Sequence, residues 1–259
     1  MDEVSNRVLS IAGFDPSGGA GILADIKTFE ANRVCGMGVL SALTFQNDIL
    51  FEGLKWIEAD EILQQISVLQ KRFEFSVVKI GLIRDLEVLG VIVKGLIQAL
   101  PGIQIIWDPI VKASAGFQFH KHFEREQLFA VLENCFLITP NTEEATFLAG
   151  IDNPMEATRL LAKHFSVLLK GGHNKEEPGV DYLFRQDQIE KIFPTGKVVF
   201  PKHGSGCVLS AAIASNLAKG NDLITACLKA KIYVELFLSS NKTLLGTHDA
   251  HQASIHITR

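Results

Sequence analysis

Four groups of residues carry types and spacings suited to chemistry on a small molecule. The first is Lys202-His203-Gly204-Ser205-Gly206-Cys207, set immediately before a helix-forming run. Successive N–H groups in a glycine-rich turn form an anion nest, and a helix N-terminus adds partial positive charge. Such a turn suits a phosphoryl group in transfer. Cys207 falls in the first helical turn, where a thiol pKa drops and a thiolate is favoured. The segment alone also describes a buried structural cysteine, and without other support that is the better reading. The second group is Asp108, Asn141 and Glu144, each just after a strand-like run. Magnesium carried by a nucleotide needs only one or two carboxylates. The Asn-x-x-Glu spacing also describes a helix cap with a capping box, the stronger reading on spacing alone.

The third group, Lys170-Gly171-Gly172-His173, ends another strand-like run. It can bring an ammonium to phosphates, or be a solvated strand-to-turn junction. The fourth is Gly13-Phe14-Asp15-Pro16-Ser17-Gly18-Gly19-Ala20-Gly21. Its end, read with Ile22-Leu23-Ala24, matches a dinucleotide fingerprint, which expects an acidic residue after the second strand. Asp48, beside Gln46 and Asn47, is the candidate. A tight turn with close helix packing explains these glycines as well. The chain contains no GxxxxGK[ST] phosphate loop, so any use of ATP rests on another cradle.

Strand-like and helix-like runs alternate around these groups. Strands are expected at 7–13, 36–45, 77–80, 103–107, 136–139 and 167–170, with a hairpin of 180–184 and 189–193. Helical stripes cover 22–32, 59–73, 86–100, 154–163, 207–219 and 222–238, with a further helix after Asn141. Pro101 stops the third of these stripes. This alternation predicts an α/β fold with a mostly parallel sheet covered on both faces. Ligands of such sheets sit at the carboxyl ends of the strands, where the four groups fall. No repeat or linker divides residues 1–259, so one domain is expected.

The bulk properties narrow the function classes. A net charge of −4 and a pI near 6.1 argue against non-specific nucleic-acid binding. Apolar runs fall well short of the roughly 20 residues that span a membrane. The N-terminal MDEVSNR is polar and unlike a secretory signal. The four cysteines, Cys35, Cys135, Cys207 and Cys227, form no CxxC motif and read as reduced thiols. A cytoplasmic protein is expected. His248, His251 and His256 match no metal spacing and read as surface residues.

The segments together resemble the hydroxymethylpyrimidine/phosphomethylpyrimidine kinases of thiamine biosynthesis. The matching residues are Ile11-Ala12-Gly13, Asp15 to Gly21, Ala24-Asp25-Ile26-Lys27-Thr28-Phe29, Gln46-Asn47, Lys79-Ile80-Gly81-Leu82, Thr139-Pro140-Asn141, Glu144-Ala145, Lys170 to His173, and His203 to Cys207 with Leu209-Ser210-Ala211-Ala212. They occur in the family's order from residue 7 to about 220, and DPSGGAG with a late HG[TS]GC is specific in combination.

The resemblance implies a ribokinase-like three-layer α/β/α sandwich. It implies transfer of the ATP γ-phosphoryl group to the 5-hydroxymethyl group of 4-amino-5-hydroxymethyl-2-methylpyrimidine, and a second transfer to the monophosphate. By the same resemblance, Gln46 and Asp25 contact the aminopyrimidine, with Gly13, Leu82 and Ile110 completing its pocket. Cys207 stands where relatives in the wider superfamily use an aspartate base, in the turn of Gly204, Ser205 and Gly206. Asp108 and Glu144 organise Mg2+, while Lys170 and Asn141 serve ATP and its phosphates. The partners implied are the small pyrimidine, ATP and a second copy of the chain as a homodimer, with no nucleic acid and no membrane. Within the turn the family reads N-T-H-G-T-G-C-T. Here Lys202 replaces the first threonine, Ser205 the second and Val208 the last. Lys202 is expected either to touch phosphate or to be exposed. The alternatives are a pyridoxal or pyridoxine kinase, and a catalytically silent pyrimidine sensor.

Overall fold

The computed structural model describes residues 6–113, 116–120, 122–173, 176–186 and 188–249. Its strands are β1 (Arg7–Phe14), β2 (Cys35–Gln46), β3 (Phe51–Trp56), β4 (Val77–Ile80), β5 (Gln104–Trp107), β6 (Leu137–Ile138), β7 (Ser166–Leu169), β8 (Asp181–Arg185) and β9 (Gln188–Ile192). They form one sheet in the order β3-β2-β1-β4-β5-β6-β7-β8-β9. The six strands from β2 to β7 in that order are parallel, while β3, β8 and β9 join through antiparallel pairings. The order turns back at β1, whose neighbours are β2 and β4. A crevice therefore opens at their carboxyl ends.

Alternation along each strand builds two cores. Leu9, Ile11, Val78, Ile80, Ile105, Trp107, Val167 and Leu169 point to one face. Val8, Val77, Ile106 and Leu168 point to the other. The first face is covered by α2 (Ala59–Gln70), α3 (Leu86–Ala99), α4 (Arg125–Leu132), α5 (Thr142–Ala149) and α6 (Pro154–Leu161). The second is covered by α1 (Gly21–Ala31), α7 (Ser205–Ala218) and α8 (Leu223–Ser239). These are the three layers of the α/β/α fold.

Local chemistry sets the helices. The α3 helix starts at Asp85, whose side chain accepts the Val88 N–H at 2.8 Å. It buries Leu86, Leu89, Val93 and Leu96 at helical spacing. Fully burying each such side chain contributes roughly 1.5–3 kcal/mol. The α7 helix is buried without a break from Cys207 to Leu217. Its Ala211, Ala212 and Ala214 let it pack closely beneath α1 and α8.

Two elements lie outside the expectation from sequence. β3 carries Glu52, Gly53 and Lys55, because it is an edge strand bonded only to β2. α4 buries just Leu128 and Leu132, an i, i+4 pair that is visible in the sequence but short. Among the described residues no helix is long and apolar enough to cross a membrane. The four cysteines are free, and all but Cys35 are buried.

Candidate active site

The strand ends bring the charged groups together. Asp108 follows β5, Thr139 follows β6 and Lys170 follows β7. Lys170 Nζ lies 2.8 Å from Asp108 Oδ1 and 3.4 Å from Glu144 Oε2. Thr139 Oγ1 donates to Asp108 Oδ1 at 3.0 Å, and Ser210 Oγ donates to Oδ2 at 3.1 Å. Burial works to raise the Asp108 carboxyl, but the ammonium groups of Lys170 and Lys79 outweigh it and hold the pKa low. Burial pushes Glu144 up to about 7 against the pull of Lys170. Burial also works against the Lys170 charge, and the two carboxylates outweigh it.

Asn141 and Glu144 form the capping box of α5. The Asn141 side chain accepts the Glu144 N–H at 2.9 Å, and Glu144 Oε2 accepts the Asn141 N–H at 2.7 Å. The cap and the charge cluster thus use the same glutamate. Its capping bond aims one carboxylate oxygen, and Lys170 meets that oxygen.

The glycine turn meets this cluster from the other side. A Cβ on Gly206 would lie 3.2 Å from Lys170 Nζ, so the ammonium rests against the turn's backbone. Gly204 caps α7 at φ 74°, and a Cβ there would lie 2.1 Å from the Gly19 carbonyl oxygen. Only glycine fits such an approach. The two glycine loops are therefore packed on each other, which accounts for Gly18 to Gly21 as a tight turn. His203 and Asp15 lock that junction, with Nε2 2.9 Å from Oδ2. Asp15 also accepts the Ser17 and Ala20 N–H groups, each at 2.9 Å. His203 Nδ1 is buried with no partner among the described residues. The Asp15–His203 contact spans 188 positions and had no local signal in the sequence.

Three expectations are corrected here. Cys207 is 6% exposed, and burial pushes its thiol up to about 11 despite the nearby Lys79 ammonium. Desolvation outweighs the helix terminus, so the resting thiol is neutral. Lys202 is neither a free surface lysine nor turned toward the charge cluster. It is buried and donates to the carbonyls of Asn241 and Thr243 at 2.5 and 2.8 Å. His248 is half-buried beside Phe237, its Nδ1 2.8 Å from Tyr233 Oη, and burial lowers its pKa to about 4. His251 and His256 lie outside the described residues.

The second half of the site lies at the β1–β4 crevice. A Cβ on Gly13 would meet Leu82 Cδ2 at 3.2 Å and Thr44 Cγ2 at 3.7 Å. Gly81 faces Ile110 Cδ1, 3.8 Å from the position of a Cβ. The structure thus gathers Gly13, Leu82 and Ile110, and half-buried Gln46 ends β2 on the same rim. Asp25 lies beneath this surface rather than on it. It is 0% exposed, and its carboxylate accepts from Lys79 Nζ at 2.8 and 2.9 Å and from Ser10 Oγ at 2.6 Å. Asp25, expected to contact the ring, is engaged here in a buried ion pair with Lys79.

No group of three or more His, Cys, Asp or Glu side chains is arranged to hold a metal among the described residues. Asp108 and Glu144 nevertheless fit a divalent cation that arrives on a nucleotide. They are two carboxylates sharing one ammonium, and Glu144 is under-compensated.

Residues 15–252 match the family model described as phosphomethylpyrimidine kinase. The hydroxymethylpyrimidine/phosphomethylpyrimidine kinase of Rhizobium meliloti is 34% identical over 90% of each chain. The crystal structure of a phosphomethylpyrimidine kinase from Clostridium difficile superposes with a TM-score of 0.74 at 31% identity, covering 88% of this chain and 97% of that one. An ADP complex of Bacillus subtilis pyridoxal kinase superposes with a TM-score of 0.80 at 26% identity, over 96% and 99%.

Proposed function

Because this chain belongs to the phosphomethylpyrimidine kinase family and is a phosphotransferase, we propose that it phosphorylates 4-amino-5-hydroxymethyl-2-methylpyrimidine in thiamine biosynthesis. ATP is the donor, and the monophosphate product is the second acceptor. The observation that carries this reading is Lys170, held between Asp108 and Glu144 and against the Gly206 backbone at the carboxyl edge of the sheet. Magnesium would be held by Asp108 and Glu144, and it supplies neutralisation of phosphate charge.

The chain's own groups divide the work. Lys170 and the first N–H groups of α7, from the turn of Gly204, Ser205 and Gly206, draw the transferring phosphoryl charge. Asn141 keeps Glu144 aimed through the capping box. Gln46 offers a donor and an acceptor to the amine and ring nitrogen of the pyrimidine. Gly13, Leu82 and Ile110 make the flat apolar wall. Cys207 takes the proton of the attacking alcohol. Its neutral resting thiol must first lose its own proton to solvent, a step favoured by the Lys79 ammonium and the Gly21 N–H. A loose phosphoryl-transfer transition state asks little of that base.

Pyridoxal is the second acceptor worth weighing, because the chain superposes on a pyridoxal kinase with a TM-score of 0.80 and both ring systems carry a hydroxymethyl group. Gln46 favours the aminopyrimidine. ADP release measured with the pyrimidine, its monophosphate and pyridoxal separates these readings. Release is expected with the first two, and EDTA should abolish it. ADP release that ignores the alcohol or EDTA would remove the kinase reading, and release with pyridoxal alone would reassign the acceptor.

A further inference from the structure

Lys170 does not hold its place alone. Its own N–H donates to the Pro140 carbonyl at 2.8 Å, which fixes it on the β6 side. The next residue turns the chain into a short 3-10 turn, Gly171–His173. A Cβ on Gly171 would lie 1.8 Å from the Val180 carbonyl oxygen, so backbone packs directly on backbone there. The Gly171 N–H donates to Asp181 Oδ1 at 2.7 Å, and its carbonyl accepts the Gly179 N–H at 3.0 Å. Asp181 opens β8 and is 3% exposed. Its second oxygen accepts from Lys231 Nζ at 2.9 Å. Lys231, from the middle of α8 and 7% exposed, also donates to the Gly179 carbonyl.

Stability alone does not call for a charged pair at this place. Apolar side chains of similar volume often serve a core as well as a buried ion pair. They would, however, leave the Gly171 N–H without its acceptor and the Gly179 carbonyl without a donor. The first belongs to the turn that directly follows Lys170, and the second to Gly179, whose N–H bonds the Gly171 carbonyl. The ammonium of Lys170 must meet Asp108 at 2.8 Å while lying against Gly206. Displacing a phosphate-positioning group by about 1 Å can cost on the order of 10²-fold in rate.

We propose that Asp181 and Lys231 are positioning residues for phosphoryl transfer: through the Gly171 amide they aim the Lys170 ammonium at the transferring phosphate. The inference rests on the assignment of Lys170 to the nucleotide phosphates made above. It ties the last helix to the chemistry through a pair that sits behind Lys170.

The test is a set of steady-state kinetics with ATP varied, in wild-type and Lys170→Met backgrounds, with thermal melting alongside. Asp181→Ala should lower kcat/KM for ATP about 10- to 100-fold while leaving the pyrimidine KM unchanged. The double variant Asp181→Asn with Lys231→Met keeps an oxygen for the Gly171 N–H and strands no charge. It should return kcat/KM to within about threefold of wild type. In the Lys170→Met background Asp181→Ala should add less than about threefold, because its effect runs through Lys170. If Asp181→Ala does not fold, Asp181→Ala combined with Lys231→Met, which removes the Gly171 acceptor and strands no charge, makes the same comparison. A full second loss in the Lys170→Met background, or a lowered Tm with unchanged kcat/KM, would overturn the inference. Lys170→Met with unaltered ATP kinetics would instead remove the Lys170 assignment, and the inference with it.

Discussion

Among the buried lysine–aspartate pairs, Asp25–Lys79 and Asp108–Lys170 are built to opposite ends. Asp25 and Lys79 are both 0% exposed, and Ser10 completes the carboxylate's bonding. The pair is balanced and sealed. Asp108 follows β5, one strand along from Lys79, and Lys170 follows β7, three strands along; Glu144 joins them, so one ammonium answers two carboxylates. Lys170 keeps 12% of its side chain exposed. A sealed pair holds secondary elements in place, here α1 against β4. An unbalanced, accessible one is ready to exchange partners with a ligand. Identical residue types thus serve as a strut in one pair and form the proposed site in the other, and charge balance with access tells them apart.

The sharpest way to break this comparison is to empty each pair in turn. Asp25→Ala leaves the buried Lys79 ammonium without its ion-pair partner and should cost about 3–5 kcal/mol of folding stability, read by urea denaturation. A loss below about 1 kcal/mol would show that the pair is not a strut. Asp108→Asn keeps the shape, and Lys170 retains Glu144 as a partner. It should lower kcat by about 10²–10³-fold with a smaller stability change than Asp25→Ala. A larger stability loss than at Asp25, with near-normal kcat, would invert the two roles.

Glu144 gives the smallest and most specific test. Its folded pKa is raised from 4.5 to about 7 by burial. Between those values the unfolded chain ionises this carboxyl while the folded protein keeps the proton. The folded state therefore binds more protons, and stability falls as pH rises through that window. Above about pH 7 both states are ionised and the penalty is constant. Wild type should thus lose about 1–3 kcal/mol relative to Glu144→Gln between pH 4.5 and 7. Parallel urea midpoints across that range would show that Glu144 is ionised at low pH in the folded protein.

Much of the frame was legible in the sequence. The parallel strands announce themselves as short β-rich runs because both their faces are buried, as at Val77 to Ile80 and Ile105 to Trp107. Three strand ends are marked by a polar residue one position on, Asp108, Thr139 and Lys170. β3 was not legible, because an edge strand with Glu52 and Lys55 facing water lacks an apolar run. The pairing of His203 with Asp15 and the spending of Lys202 on the carbonyls of Asn241 and Thr243 were equally hidden. Each depends on where the segment after α8 and the first glycine loop arrive, not on neighbouring residues.

By itself the sequence determined the alternation of strands and helices, the glycines that let two turns pack together, and the set of charged residues available at the strand ends. Only the tertiary structure decided their partners and protonation. Lys79 meets Asp25 across 54 positions and Lys170 meets Asp108 across 62, choices made by the order of strands in the sheet. Burial then set the states of those groups. A helix start favours a thiolate at Cys207, yet removing the thiol from water costs more than the helix returns. The proton stays on up to about 11 because desolvation depends on every chain segment packed around the sulfur, which no local pattern encodes.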